Sequence, residues 1–158
     1  MSTFTKILSP IDFSAPSQSA LATAASLAKQ FNAELLLVHI VPAIPDLPSS
    51  VSMLKEGQYD ESLHTDAATR LAEMALKLKQ SGIKAESTIG TANDTAMEII
   101  RQVDENNADL IVIATHGLSG LHALVFGSVT EKVLRESHVP VLVMHTTKAA
   151  EEAKSSAA

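Results

Sequence analysis

Leu110-Ile111-Val112-Ile113-Ala114 is an unbroken apolar run set between Asp109 and Thr115. A strand with one wet face alternates apolar and polar residues. A strand covered on both faces reads as a continuous run, as in a parallel sheet flanked by helices. Leu35-Leu36-Leu37-Val38 repeats the pattern. Around these two lie three further short runs, so the predicted strands are Ile7–Ile11, Glu34–Val41, Ala85–Ile89, Leu110–Ala114 and Val139–Met144. The third, Ala-Glu-Ser-Thr-Ile, is partly polar and is assigned to a sheet edge.

Helical periodicity fills the gaps. Ser14–Phe31 carries Leu21, Ala24, Ala25, Leu27 and Ala28 on one face, with Ser14 as its N-cap and Pro16 in the first turn. Leu63–Gln80 places Leu63, Ala67, Leu71, Met74 and Leu78 at helical spacing before a Ser-Gly stop. Thr95–Glu105 is a third helix. Ser128–Glu136 is a fourth, opened by Ser128-Val129-Thr130-Glu131, which fits a capping box. Strand and helix alternate throughout, which predicts right-handed βαβ units and helices on both faces of one sheet. Pro42–Asp60 reads as a long surface connection and Thr147–Ala158 as a frayed tail, leaving one domain over residues 1–146.

Composition narrows the function. The chain has 158 residues, 46% of them hydrophobic and 19% charged, enough for a proper core in a single domain. Aromatics make up 3% and the formal net charge is -6. Without a basic stripe or stacking platforms, nucleic acid is a poor partner. There is no cysteine, which excludes disulfides and thiolate metal sites. The opening Met-Ser-Thr-Phe-Thr-Lys-Ile-Leu-Ser-Pro-Ile-Asp has no signal-peptide pattern, and no apolar run reaches bilayer-spanning length, so a cytoplasmic protein without a membrane partner is expected.

In an open parallel sheet, ligands gather beyond the carboxyl ends of the strands. Two stretches there can carry chemistry. From Ala114 to Thr130, Gly117 and Gly120 permit tight turns, Gly127 permits close approach, and Ser128 and Val129 begin a helix whose N–H groups attract anions. The same glycines could also serve only as turns and Ser128 only as a cap; spacing leaves both readings open, since neither G-x-x-x-x-G-K-[ST] nor G-x-G-x-x-G is present. Asp12, at the end of the first strand, could accept ribose hydroxyls or help hold a metal, or could help Ser14 cap the first helix. His39 and His116 follow apolar strands, where a histidine is usually a satisfied interior group. Together with His122 they form no zinc spacing. No nucleophile elbow or Ser-His-Asp set is visible.

Four stretches carry a resemblance to a known family: Lys6–Ser14, Ala33–Ile40, Ala108–Gly117, and Gly127–Leu134 followed by Pro140-Val141-Leu142-Val143. In this order they resemble the universal stress proteins over roughly Thr5 to His145. The ATP-binding branch of that family carries G-x2-G-x9-G-[ST]. Here Gly117, the nine residues Leu118–Phe126, and Gly127-Ser128 match, while Ala114 replaces the first glycine and Leu118 stands where a basic or polar residue often follows. A Cβ at 114 would crowd a ligand if the backbone needed a positive φ there.

The resemblance implies a Rossmann-like fold of the kind seen in adenine nucleotide alpha hydrolases, an open five-stranded parallel sheet in the order 3-2-1-4-5. It implies ATP, AMP or ADP as ligand, with Mg²⁺ or Mn²⁺ held by the phosphates. Pro10, Ile11, Asp12 and Ile40 would meet the base and ribose. Ala114, His116, Gly117, Gly127, Ser128, Val129 and Thr130 would hold the ribose and phosphates. It also implies a homodimer pairing Val139–Met144 with its copy, which would cover an apolar edge strand. The function expected is that of a dimeric, nucleotide-binding stress-response or regulatory protein, not an efficient enzyme. The alternative is a member that binds no nucleotide and acts through dimerisation and protein partners.

Overall fold

The computed structural model describes residues 3–43, 56–116 and 126–146. Five strands, β1 (Lys6–Pro10), β2 (Glu34–Pro42), β3 (Ala85–Ala92), β4 (Leu110–His116) and β5 (Val141–Thr146), form one parallel sheet in the order β3-β2-β1-β4-β5. Among the described residues four helices connect them: α1 (Ala15–Phe31), α2 (Glu56–Gln80), α3 (Thr95–Asn106) and α4 (Ser128–Glu136). This is the expected order. Among the described residues no helix is long and apolar enough to cross a membrane.

The continuous runs have the burial that their composition predicts. Ile7, Leu35, Leu37, Leu110 and Val112 pack into one layer with Ala20, Leu21, Ala24 and Ala28 of α1 and Leu71 and Ala75 of α2. Their neighbours Leu8, Leu36, Val38, Ile111 and Ile113 face the opposite way, onto Ile99, Ile100 and Val103 of α3 and Val133 of α4. A fully covered aliphatic side chain of this size stabilises by about 1.5–3 kcal/mol, so the two layers supply most of the driving force. β3 lies at one edge, as its polar content predicts.

Local signals set the ends. Ser14 caps α1, its Oγ accepting from the Ser17 N–H at 3.2 Å, and Asn32 stops the helix in a left-handed turn at φ 54°. Asp94 caps α3, and Asn107 ends it at φ 55°. At the start of β4 the Asp109 carboxylate receives the Thr5 N–H at 2.8 Å, the Thr5 hydroxyl at 2.7 Å and the Lys6 N–H at 3.0 Å. That clamp sets β1 beside β4, the strands between which the site opens.

Several boundaries differ from expectation. α2 begins at Glu56, inside the stretch assigned to a surface connection, because its first turns (Glu-Gly-Gln-Tyr-Asp-Glu-Ser) are polar and show no apolar period. β1 ends at Pro10, although the Ile11 N–H still reaches the Val38 carbonyl at 2.7 Å. β3 runs on past Ile89 to Ala92. β5 runs from Val141 to Thr146 instead of Val139 to Met144. Val139 is held in a turn by Ser137, and Pro140 has no N–H to pair. The tail expected at 147–158 lies outside the described residues.

Candidate functional site

At the carboxyl edge of the sheet, where the chain runs to β2 on one side of β1 and to β4 on the other, a crevice of about 250 Å³ opens. This is the switch point at which parallel α/β sheets bind ligands. Its volume is near the lower end of small-molecule sites, roughly 300 Å³. Pro10, Ile11 and Asp12 enter it from β1, Val38, His39 and Ile40 from β2, and Ile113 and Ala114 from β4. Thr95 and Ile99 come from α3, Ser14, Pro16 and Ser17 from the start of α1, and Gly127 through Thr130 from the start of α4. The structure thus gathers most of the residues proposed from sequence. Gly117, and the side chain of His116 at the end of β4, lie outside the described residues.

The walls divide by chemistry. Val38, Ile40, Ile99 and Ile113 form an apolar side. The starts of α1, α3 and α4 also border the crevice, each bringing the positive end of a helix dipole to it. No lysine or arginine lines the crevice among the described residues.

The three helix starts are not equivalent. Ser14 and Asp94 cap α1 and α3 with their side chains, whereas α4 starts from Gly127 with no side-chain cap. This corrects the capping-box reading: Ser128 is the first helical residue, its hydroxyl does not cap, and the side chain is exposed. Gly127 has φ -59° and ψ 154°, values any residue adopts, and among the described residues a Cβ placed on it would meet nothing within 4 Å. Among the described residues neither backbone nor packing calls for glycine here. Gly127 itself borders the crevice.

Thr130 secures this end of the site, its hydroxyl donating to the Ala114 carbonyl at 3.0 Å. Ala114 is ordinary extended strand, outside the left-handed region occupied by Phe13, Asn32 and Asn107, and its methyl packs with the α1 layer. Ala114 therefore carries none of the backbone strain that a positive φ would have brought. Lys132 of α4 pairs with Asp94 at the head of α3, tying the two helix starts together. That hydrogen bond, helped by the Met97 N–H, holds the Asp94 carboxyl below its ordinary range.

Asp12 takes the capping role considered for it. Its Oδ1 accepts the Ser14 N–H at 2.9 Å and the Ser14 hydroxyl at 2.5 Å, which orients the α1 cap, while the residue still borders the crevice. The turn is braced from behind. His39 Nδ1 lies 2.6 Å from the Ile11 carbonyl, so that nitrogen carries the proton. The His39 ring lies 4.6 Å from that of Phe13, and the Arg70 guanidinium stands 4.0 Å over the other aromatic partner, Phe13. Phe13 holds φ 63°, a left-handed conformation that costs a non-glycine residue energy.

Sequence reasoning did not single out His39, Thr95, Ile99 or Pro16 for this crevice. His39 had been read as a satisfied interior group, and its bond to Ile11 is of that kind. Thr95 and Ile99 follow the edge strand, and nothing local signals that α3 leans over β2. Among the described residues no group of three or more His, Asp and Glu side chains could hold a metal.

The universal stress protein family model matches residues 3–145. Universal stress protein MJ0531 of Methanocaldococcus jannaschii is 31% identical over 148 residues, covering 92% of this chain and 84% of that protein. The solved structure of MJ0577 from the same organism superposes with a TM-score of 0.74 at 25% identity, covering 92% of this chain and 98% of that one. A universal stress protein from Archaeoglobus fulgidus, solved in complex with dAMP, shares the fold with a TM-score of 0.64 at 19% identity, over 90% and 98% of the two chains. With its fold, its switch-point crevice and this match along nearly its whole length, the chain belongs to the universal stress protein family.

Proposed function

We propose that this protein binds an adenine nucleotide, AMP, ADP or ATP, in the crevice between β1 and β4, and acts as a dimeric cytoplasmic stress-response protein rather than an efficient enzyme. The observation that carries this reading is the head of α4. An uncapped helix start and a glycine with open space before it face the same crevice as an apolar wall. Phosphate suits the helix start because unpaired N–H groups and the dipole both favour an anion. The base suits the wall of Val38, Ile40, Ile99 and Ile113. Asp12, at the crevice beside Ser14, is the carboxylate placed to meet ribose hydroxyls. That a family member of the same fold was solved with dAMP supports a nucleotide ligand.

The residues fit a nucleotide carrying its own cation. Mg²⁺ or Mn²⁺ would neutralise the phosphates that bring it, and Ser128 supplies the hydroxyl at that end. Dimerisation would use β5, which lies at the sheet edge with Leu142 exposed.

The test has two steps. Protein purified from its expression host is denatured and the supernatant assayed for adenine nucleotide. The refolded or stripped protein is then titrated with ATP and Mg²⁺ by calorimetry. Binding in the micromolar to low-millimolar range is expected. No released nucleotide and no heat at millimolar ATP would favour the alternative, a member working through dimerisation and partners alone.

A further inference from the structure

Gly90 lies in the edge strand β3, directly beside Ile40 in the β2–β3 register. It is outside the positive-φ region, so its backbone does not require glycine. The demand is spatial. A Cβ on Gly90 would lie 2.7 Å from Glu98 Oε1, 2.9 Å from Ile40 Cδ1 and 3.0 Å from Glu98 Cγ. Both nearest contacts are under 3 Å, so an added Cβ must itself shift off Glu98, and at least one neighbour must give way.

Which neighbour moves follows from how each is held. Glu98 is buried, and its carboxylate is bound by Arg101, Nε to Oε2 at 2.7 Å and an Nη to Oε1 at 2.5 Å, and by Gln102 Nε2 to Oε1 at 2.9 Å. Shifting it would strain three charge-assisted hydrogen bonds, two of them from a guanidinium. Ile40 Cδ1 is held only by dispersion contacts and can swing about χ2. β3 lies on one side of β2 and β1 on the other, so a push from Gly90 drives Ile40 toward β1. That is the crevice: Ile40 lines it, and no β3 residue does.

We infer that Gly90, backed by the fixed Glu98 carboxylate, is a specificity-determining position of the site. Its missing side chain lets Ile40 stand back against the edge strand, which leaves the apolar wall wide enough for a flat purine-sized ring. The inference rests on the nucleotide reading of the crevice and adds to it what sets the width.

The experiment compares wild type, G90A, I40V and G90A/I40V, using AMP as probe in calorimetric titrations and thermal unfolding in its absence. G90A should weaken AMP at least tenfold while remaining folded. Removing the displaced Cδ1 should restore binding, so that G90A/I40V lies within threefold of I40V. In the unfolding series, I40V should lower the midpoint in wild type and raise it in the G90A background, a reversal that a merely structural role for Gly90, without contact to Ile40, would not produce. AMP affinity unchanged in G90A, or lost there and not recovered by I40V, would overturn the inference. Failure of the functional reading looks different: wild type itself would not bind AMP.

Discussion

Replacing Phe13 by alanine and by glycine should give stabilities in the reverse of their usual order. In most positions glycine is the worse of the two by about 0.5–1 kcal/mol, because it loses more freedom on folding. Phe13 sits at φ 63°, where a Cβ costs about 1–2 kcal/mol. Both substitutions remove the His39 ring contact, worth about 0.5–1.5 kcal/mol, and the Arg70 contact, worth about 0.5–1 kcal/mol when exposed. Phe13→Ala keeps the strain and loses those contacts, so it should cost about 2 kcal/mol. Phe13→Gly loses the same contacts but also the strain, which outweighs its extra entropy and leaves it about 0.5–1 kcal/mol more stable than the alanine variant. Urea denaturation with equal m-values measures the difference. Ala22→Gly, on the exposed face of α1, is the control and should show the usual loss of about 1 kcal/mol. An alanine variant at least as stable as the glycine variant at position 13 would refute the strained turn on which the Asp12 geometry depends.

Three further outcomes follow from single residues. Ser9 is fully buried and its Oγ has no hydrogen-bond partner among the described residues, so Ser9→Ala should stabilise by about 1 kcal/mol in chemical denaturation, and a loss of similar size would show a missed partner. Burial raises the Asp109 carboxyl, but the Thr5 hydroxyl and the Thr5 and Lys6 N–H groups outweigh it and leave the folded-state value below ordinary. Its stabilisation is therefore present above about pH 4 and lost as pH falls through the folded value, so Asp109→Asn should be less stable at neutral pH with a shallower acid limb, and an unchanged limb would contradict this. Leu142→Asp on the β5 edge should convert a dimer to monomer in analytical ultracentrifugation, and a persistent dimer would place the interface elsewhere.

The fold was legible because its determinants are local. Leu110–Ile113 and Leu35–Val38 are unbroken apolar runs, and both are covered on two faces. Ser14 marked the start of α1 by its hydroxyl. The first turns of α2 were not legible, since a polar helix start carries no apolar period. The capping role of Ser128 was misplaced by one residue: a Ser-x-x-Glu pattern does not reveal whether the serine is the cap or the first helical residue, and the extended glycine before it took the cap. In the site, residues adjacent to strand ends could be proposed from order alone. His39 bracing Ile11, Gly90 making room for Ile40, and Thr95 leaning in from α3 depend on how strands and helices sit side by side, which sequence spacing does not encode.

The central claim is that the space before the α4 start is kept clear for a phosphate. Gly127→Val puts a side chain into that space with a backbone conformation valine accepts, so unfolding free energy should stay within about 1 kcal/mol of wild type. The measurement is the affinity of the folded variant for AMP and for ATP with Mg²⁺. A loss of tenfold or more for both, at preserved stability, is the result the account predicts. Wild-type affinity in the variant would contradict it.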